Sequence, residues 1–290
     1  MTGTVPSISL FDRVRRVLTF IRFSHTIFAL PFAVGSTLVA ANGWPSPRLA
    51  GLILLCMVFA RTAAMVFNRL ADWEIDQRNP RTAGRHKLVS RPLASVVLLG
   101  SSAAFVATAW CINPLVFWLS PVALGIVFLY SVTKRFTSFT QLFLGLALAV
   151  APVGAWLAVT GKIAWAPVVL ALAVLPWVAG FDLIYATQDY EFDKKEGLRS
   201  MVVWLGVEKS LRLAVVFHVA MWLLLGVFGW MTSMHWPFWA GLVLTAGALI
   251  YEHRIAATRD LNRINEAFFN ANAFVGAVFV VSIAIDLAIR

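Results

Sequence analysis

Residues 164–193 read AWAPVVLALAVLPWVAGFDLIYATQDYEFD. The run 164–184 is apolar almost throughout, and its first charge is Asp182, close to its end. A helix that crosses a bilayer needs about 20 mostly apolar residues, so this run predicts a spanning helix with a carboxylate in its last turn. Eight more stretches qualify, approximately 20–41, 49–69, 93–112, 114–133, 139–160, 211–231, 236–254 and 267–288. The expected fold is therefore all-α, a polytopic bundle of nine transmembrane helices. No long linker, low-complexity tract or soluble appendage interrupts it, so residues 1–290 are expected to form one membrane domain, with 1–19 as an interfacial lead-in.

Composition leads to the same place. Of 290 residues, 60% are hydrophobic and 13% charged, with a mean hydropathy of +0.80. A soluble domain is roughly 45–50% apolar and about 25% charged, and a chain of this size cannot bury so much apolar surface by itself. A soluble enzyme, a disordered chain and a disulfide scaffold are excluded. Cys56 and Cys111 lie inside apolar runs and read as packing residues. The basic lead and Ala40-Ala41 give the first span the look of a signal peptide, but its run exceeds the roughly 7–15 apolar residues of such a segment. Several of the tryptophans, Trp44, Trp118, Trp165, Trp236 and Trp239 among them, fall near span ends and suit interfacial belts.

The net charge of +10 comes from 24 Lys and Arg against 14 Asp and Glu. In a soluble chain that excess would point to nucleic acid; here it sorts by side. Arg13, Arg15, Arg16 and Arg22 precede or open the first span, and Arg69 to Arg91 supply six more after the second. Lys134 and Arg135 follow the fourth span, Lys194 to Arg212 the sixth, and Arg254, Arg259 and Arg263 the eighth. Only Arg48, Lys162 and Arg290 fall on the other side. The positive-inside rule places the N-terminus in the cytoplasm and the C-terminus outside, with no nucleic-acid partner expected.

Eight of the 14 acidic residues sit in two segments, 72–76 and 182–196. In the first, Asn68, Asp72 and Asp76 are spaced i, i+4, i+8 and drift only about 80° around a helix. In the second, Asp189 and Asp193 return within about 20° of the Asp182 direction, with Tyr185 and Gln188 near the same face. Converging carboxylates repel one another unless a cation joins them. Hard oxygen ligands of this kind suit Mg²⁺, which commonly takes one or two carboxylates, keeps waters and binds substrate phosphates. A solvated, charge-balanced loop is the plainer alternative, since basic residues follow both segments; the repetition of the array weighs against it. That repetition also hints at two related halves of four helices plus one. Lys134, Arg135, Arg22 with His25, and Arg61 could complete the site, Arg61 lying two turns before Asn68 inside a span where a charge usually faces a cavity. His86, His218, His235 and His253 show no ligand spacing.

Two magnesium-binding faces at the mouth of an apolar bundle imply a ligand with a polyanionic head and a greasy tail. A prenyl diphosphate fits. Metal and cations would stabilise the leaving diphosphate, and the allylic cation left behind must be kept from water. The loops 70–92 and 185–210 are placed to act as a cytoplasmic cap. A transporter is the alternative of another class, but its binding groups would lie near the bilayer midplane; a non-catalytic prenyl-lipid-binding subunit would have no need of the full set of aspartates.

These residues resemble the UbiA superfamily of intramembrane aromatic prenyltransferases over essentially the whole chain. Its first motif stands as Asn68, Asp72 and Asp76, followed by Asn79-Pro-Arg-Thr-Ala-Gly-Arg85; its second as Asp182, Tyr185, Asp189 and Asp193, followed by Gly197 and Ser200. The segment Tyr130-x-x-x-Lys134-Arg135 is also similar. The resemblance implies Mg²⁺-dependent transfer of a polyprenyl group to an aromatic ring carbon, with Asp72, Asp76, Asp189 and Asp193 handling Mg²⁺-diphosphate. It implies assistance from Asn68, Lys134, Arg135 and Gln188, and a role for Asp182 or Tyr185 in orienting or deprotonating a phenol. Arg22 and Arg61 would bind the acceptor's carboxylate or the diphosphate. The run after the first motif and Gln188-Asp189 look like the 4-hydroxybenzoate branch, which implies quinone biosynthesis in a bacterial inner membrane; some of that branch are thought to prenylate 1,4-dihydroxy-6-naphthoate instead. The expected partners are membrane lipid, a polyprenyl diphosphate and a small aromatic acid, with no protein partner. One departure is Arg69, where many relatives carry Asp.

Overall fold

The computed structural model describes residues 17, 19–20, 28–79, 82, 84, 88–258 and 260–290, and only the backbone of 261–263 and 265–267. Its long helices are α1 (Leu30–Ala41), α2 (Pro47–Ala71), α4 (Arg91–Trp110), α5 (Pro114–Val132), α6 (Thr140–Thr160), α7 (Trp165–Ala186), α10 (Val207–Met231), α11 (Trp236–Ala257) and α12 (Leu261–Ala288). Three short helices, α3 (Trp73–Arg78), α8 (Tyr190–Lys195) and α9 (Met201–Leu205), and two 3₁₀ turns, Thr133–Arg135 and Thr187–Asp189, join them. No strand occurs among the described residues.

The capping chemistry explains where several helices begin. Ser46 Oγ accepts from the Leu49 amide, Ser90 Oγ from Leu93 and Asn113 Oδ1 from Val116. Each cap is followed by a proline in the first turn, where the missing N–H would have no helical partner anyway. Asn113 also donates to the Leu157 carbonyl at 2.9 Å, which fixes the α4–α5 turn against the end of α6.

Seven helices are long and apolar enough to cross a bilayer among the described residues, against nine expected. Of the other two expected spans, α1 is described only from Leu30 and is 12 residues long. The second, α11, is 22 residues long, but Glu252, His253 and Arg254 dilute its final turns.

The element order repeats. In each half the second long helix leads into an acidic array that extends onto a six-residue helix, α3 after α2 and α8 after α7. Helix α7 is the most enclosed element and packs on α6 and α10, with α1 and α12 closing around it. Trp177, Phe181, Phe32, Met221, Phe228 and Phe279 form the centre of that core. A second tie is polar and was not anticipated from sequence. Buried His218 bonds His253 at 2.9 Å and the Trp177 carbonyl at 3.3 Å, and buried Asn272 donates to Glu252 at 2.9 Å, linking α7, α10, α11 and α12.

Two of the glycines show how closely α7 is approached. A Cβ on Gly145 would overlap the backbone carbonyl of Leu175, and one on Gly180 would meet His218 Nε2 at 2.6 Å. Backbone cannot yield as a flexible side chain can, and overpacking costs about 1–3 kcal/mol. Gly145→Ala should therefore lower stability by roughly that amount, read by thermal unfolding of the detergent-solubilised protein, whereas Gly154→Ala, which meets nothing within 4 Å, should leave it unchanged.

Candidate active site

Both acidic arrays are interrupted by helix breaks, which corrects the expectation of continuous helical faces. α2 ends at Ala71; Asp72 (φ −98°, ψ 12°) forms the corner and α3 carries Asp76. In the second array, Asp182 and Tyr185 lie on α7, Gln188 and Asp189 on the 3₁₀ turn, and Asp193 on α8. Across the first break, Arg69 Nη1 lies 3.2 Å from Asp76 Oδ2.

The structure gathers the two arrays at one end of the bundle. Asn79 Nδ2 donates to Asp189 Oδ1 at 3.5 Å, and Arg78 pairs with Glu196 at 3.0 Å. Thr82 Oγ1 donates to the Asp76 carbonyl at 2.9 Å. Lys134, on the 3₁₀ turn after α5, places Nζ 2.7 Å from Asp72 Oδ2, and Asn68 Nδ2 reaches the same oxygen at 3.4 Å. Burial pushes the Asp72 carboxyl above the usual carboxylate range, and the Lys134 ammonium beside it opposes that push.

Asp72 Oδ1 is buried and has no hydrogen-bond partner among the described residues. An orphaned anionic oxygen in a low-dielectric site is costly and is the donor type a hard divalent cation seeks. No group of three His, Cys, Asp or Glu side chains among the described residues is gathered closely enough to hold an ion by itself. Mg²⁺ does not require one, because waters and substrate phosphates complete its octahedron. The residues present fit Mg²⁺.

Below the arrays lies an apolar cavity of about 380 Å³, walled by Ile53, Met57, Phe105, Val127 and Gly154 among others. Arg61 and Tyr130 are polar exceptions in its wall. Arg61 Nε is buried and has no partner among the described residues. Arg61 stands two turns before Asn68 and Tyr130 one turn before Lys134, so the cavity's polar side adjoins the acidic mouth.

Not every expected residue has the expected surroundings. Arg135 is exposed, and Nη2 donates to the Ala71 carbonyl, so it caps the end of α2, where a cation suits the helix dipole. Tyr185 packs its ring against Phe268 at 4.7 Å, on the side of the core. Arg22 and His25 lie outside the described residues. Arg69 was expected only as a departure from pattern; it is buried and holds Asp76. Arg199, which sequence reasoning did not single out, donates its amide to the Lys134 carbonyl at 3.0 Å and a guanidinium N–H to the Phe136 carbonyl at 2.8 Å. Basic character near the second motif was the only signal for it.

The family profile of the UbiA prenyltransferases matches residues 28–276. The chain belongs to that family. Similar proteins include the 4-hydroxybenzoate octaprenyltransferase of Alcanivorax borkumensis, 33% identical over 253 residues that cover 83% of this chain and 84% of the relative. The protein of the same name from Methylobacillus flagellatus is 31% identical over 252 residues, 86% of this chain and 84% of the relative. Among solved structures, a UbiA homologue from Aeropyrum pernix superposes with a TM-score of 0.82 at 31% identity, covering 90% of this chain and 98% of that one. A UbiA homologue from Archaeoglobus fulgidus bound to GPP and Mg²⁺ gives 0.74 at 25% identity, with 94% and 99% covered.

Lys134→Met would leave Asp72 buried without its nearest cation. It should destabilise the protein by roughly 3 kcal/mol, the lower end for breaking a buried pair, because Lys134 retains 26% side-chain exposure. Adding Asp72→Asn should recover part of that loss, a coupling that a double-mutant cycle on thermal unfolding will read.

Proposed function

We propose that this integral membrane protein is a Mg²⁺-dependent aromatic prenyltransferase that moves a polyprenyl group from a polyprenyl diphosphate to 4-hydroxybenzoate. Nine helices span a bacterial inner membrane, with the N-terminus and site on the cytoplasmic side and the segments 70–92 and 185–210 as a cap. The observation that carries the reading is the pairing of a charged mouth with an apolar cavity. Two arrays of carboxylates meet across Asn79 and Asp189, and beside them lies a chamber whose wall is apolar except at a few positions such as Arg61 and Tyr130. A ligand that satisfies both is a diphosphate with a hydrocarbon tail. The family membership and the relatives' names point the same way.

Mg²⁺, when bound, supplies positive charge that stabilises the departing diphosphate. Asp72, Asp76, Asp189 and Asp193 are the residues that would hold it. Lys134 and Asn68 position Asp72, and both lie where they can also donate to phosphate oxygens. As the C1–O bond of the donor breaks, its electron pair leaves with the diphosphate and an allylic cation remains. The apolar cavity wall keeps water from that cation, which the acceptor's ring carbon then attacks to form the new C–C bond. The ring proton departs to restore aromaticity. Asp182 and Tyr185, on the last turns of α7, orient the acceptor's phenol and take up a proton, Gln188 assists in binding, and Arg61, buried with an unfilled donor, receives the acceptor's carboxylate.

Membranes containing the protein, supplied with radiolabelled polyprenyl diphosphate, Mg²⁺ and 4-hydroxybenzoate, should form a lipid-extractable aromatic product. EDTA should abolish it. Asp72→Ala should lower the rate by about 10²-fold or more, the scale of removing one preorganised electrostatic group. Activity surviving both treatments overturns the metal assignment. Label passing to 1,4-dihydroxy-6-naphthoate but not to 4-hydroxybenzoate would overturn the acceptor and leave the transferase standing.

A further inference from the structure

We propose that Arg69 binds the diphosphate and also serves as the resident counterion of Asp76, so that this site takes a divalent cation together with a diphosphate rather than ahead of it. The proposal deepens the prenyltransferase reading and rests on it.

The observations lie in the first array. The Arg69 side chain is 8% exposed and that of Asp76 17%. Their bond runs from one arm of the guanidinium, Nη1, at 3.2 Å. Nε of the same guanidinium is buried and has no partner among the described residues. Arginine carries five donors and no acceptor, so an orphaned N–H in a buried position calls for an anionic oxygen. In the same array, Asp72 has the opposite deficiency. Lys134 and Asn68 hold Oδ2, while Oδ1 is buried and has no partner among the described residues. An unfilled donor and an unfilled acceptor thus stand in one mouth and do not satisfy each other. A ligand that satisfies both brings anionic oxygens for Arg69 and a hard cation for Asp72.

Charge balance argues for the order. Asp72 and Asp76 carry two negative charges, and Lys134 and Arg69 two positive ones. A divalent cation arriving alone between Asp72 and Asp76 would stand beside the Lys134 ammonium and the Arg69 guanidinium in a low-dielectric site, where like charges repel strongly. A diphosphate arriving with the ion gives Arg69 and Lys134 anionic oxygens and offsets that repulsion. The planar guanidinium fork matches phosphate geometry, so Arg69 is the residue better shaped for that contact.

The test uses the purified full-length protein in detergent, Mn²⁺ as an electron-paramagnetic probe of divalent binding, and calorimetry with inorganic pyrophosphate in excess Mg²⁺. Arg69→Gln should tighten Mn²⁺ binding about tenfold in the absence of pyrophosphate and weaken pyrophosphate binding by a similar factor, the scale on which groups bonded to metal ligands act. Arg69→Lys should restore both values part of the way. A merely structural arginine would move both constants in the same direction or neither, and either result overturns the proposal. Should Arg69→Gln fail to fold, wild type decides: tight Mn²⁺ binding without pyrophosphate overturns the proposal, and weak binding supports it. Wild type that binds no Mg²⁺-pyrophosphate at all overturns the transferase reading, and this proposal with it.

Discussion

Lys134 and Asp72 meet at 2.7 Å where an apolar bundle ends, and much else at that end is arranged around the pair. A carboxylate this buried is stable only beside a cation or with its charge removed. Lys134 supplies the cation from a different helix, so the bond that neutralises Asp72 also fixes the end of α5 against the end of α2. Two neighbours strengthen the joint. Arg135 donates to the Ala71 carbonyl, and the Arg199 amide donates to the Lys134 carbonyl, which brings the loop after α8 onto the same turn. One three-residue 3₁₀ turn, Thr133–Arg135, thus touches both halves of the chain.

The helix breaks follow from the same need. Asn68 on α2, Asp72 at the corner and Asp76 on α3 straddle the first break. Across the corner at Asp72, Asp76 on α3 pairs with Arg69 on α2. The 3₁₀ turn at Thr187–Asp189 does the corresponding work in the second half and leaves Asp189 within reach of Asn79.

How much of this the sequence discloses depends on the range of the physics. Hydropathy averaged over about 20 residues reflects a demand of the lipid that each span meets by itself, and the long helices fall close to the apolar runs. The acidic arrays were legible for a related reason, since carboxylates grouped at helix ends are rare enough to stand out. The corners were not legible. Neither Leu70-Ala71-Asp72-Trp73 nor Ala186-Thr187-Gln188-Asp189 contains the glycine or proline that usually marks a break, so tertiary contacts impose them. The pairing of Arg69 with Asp76 was hidden too, because Arg69 stands in the sequence only as a departure from the motif among several basic residues. The cluster of His218, His253, Glu252 and Asn272 joins three helices of the last half through residues 20 and 35 positions apart, a distance that no local pattern encodes.

The distribution of polar groups separates chemistry at a membrane surface from transport through it. A transporter needs binding groups near the midplane, on broken helices that expose backbone to a pathway. Here the interior His218 and Asn272 bond to neighbouring side chains and to the Trp177 and Phe268 carbonyls, while Asn272 Oδ1, Glu252 Oε2 and Trp177 Nε1 are buried without a partner among the described residues. Orphaned atoms that call for a ligand include Asp72 Oδ1 and Arg69 Nε at the charged mouth and Arg61 Nε in the cavity wall next to it. A head group held at the mouth with its tail in the chamber would have its reacting carbon at the boundary between them. There the fixed charges act undiluted by water and the newly formed cation meets apolar walls. The low dielectric that gives those charges their effect is also what obliges each of them to keep a counterion until the ligand arrives.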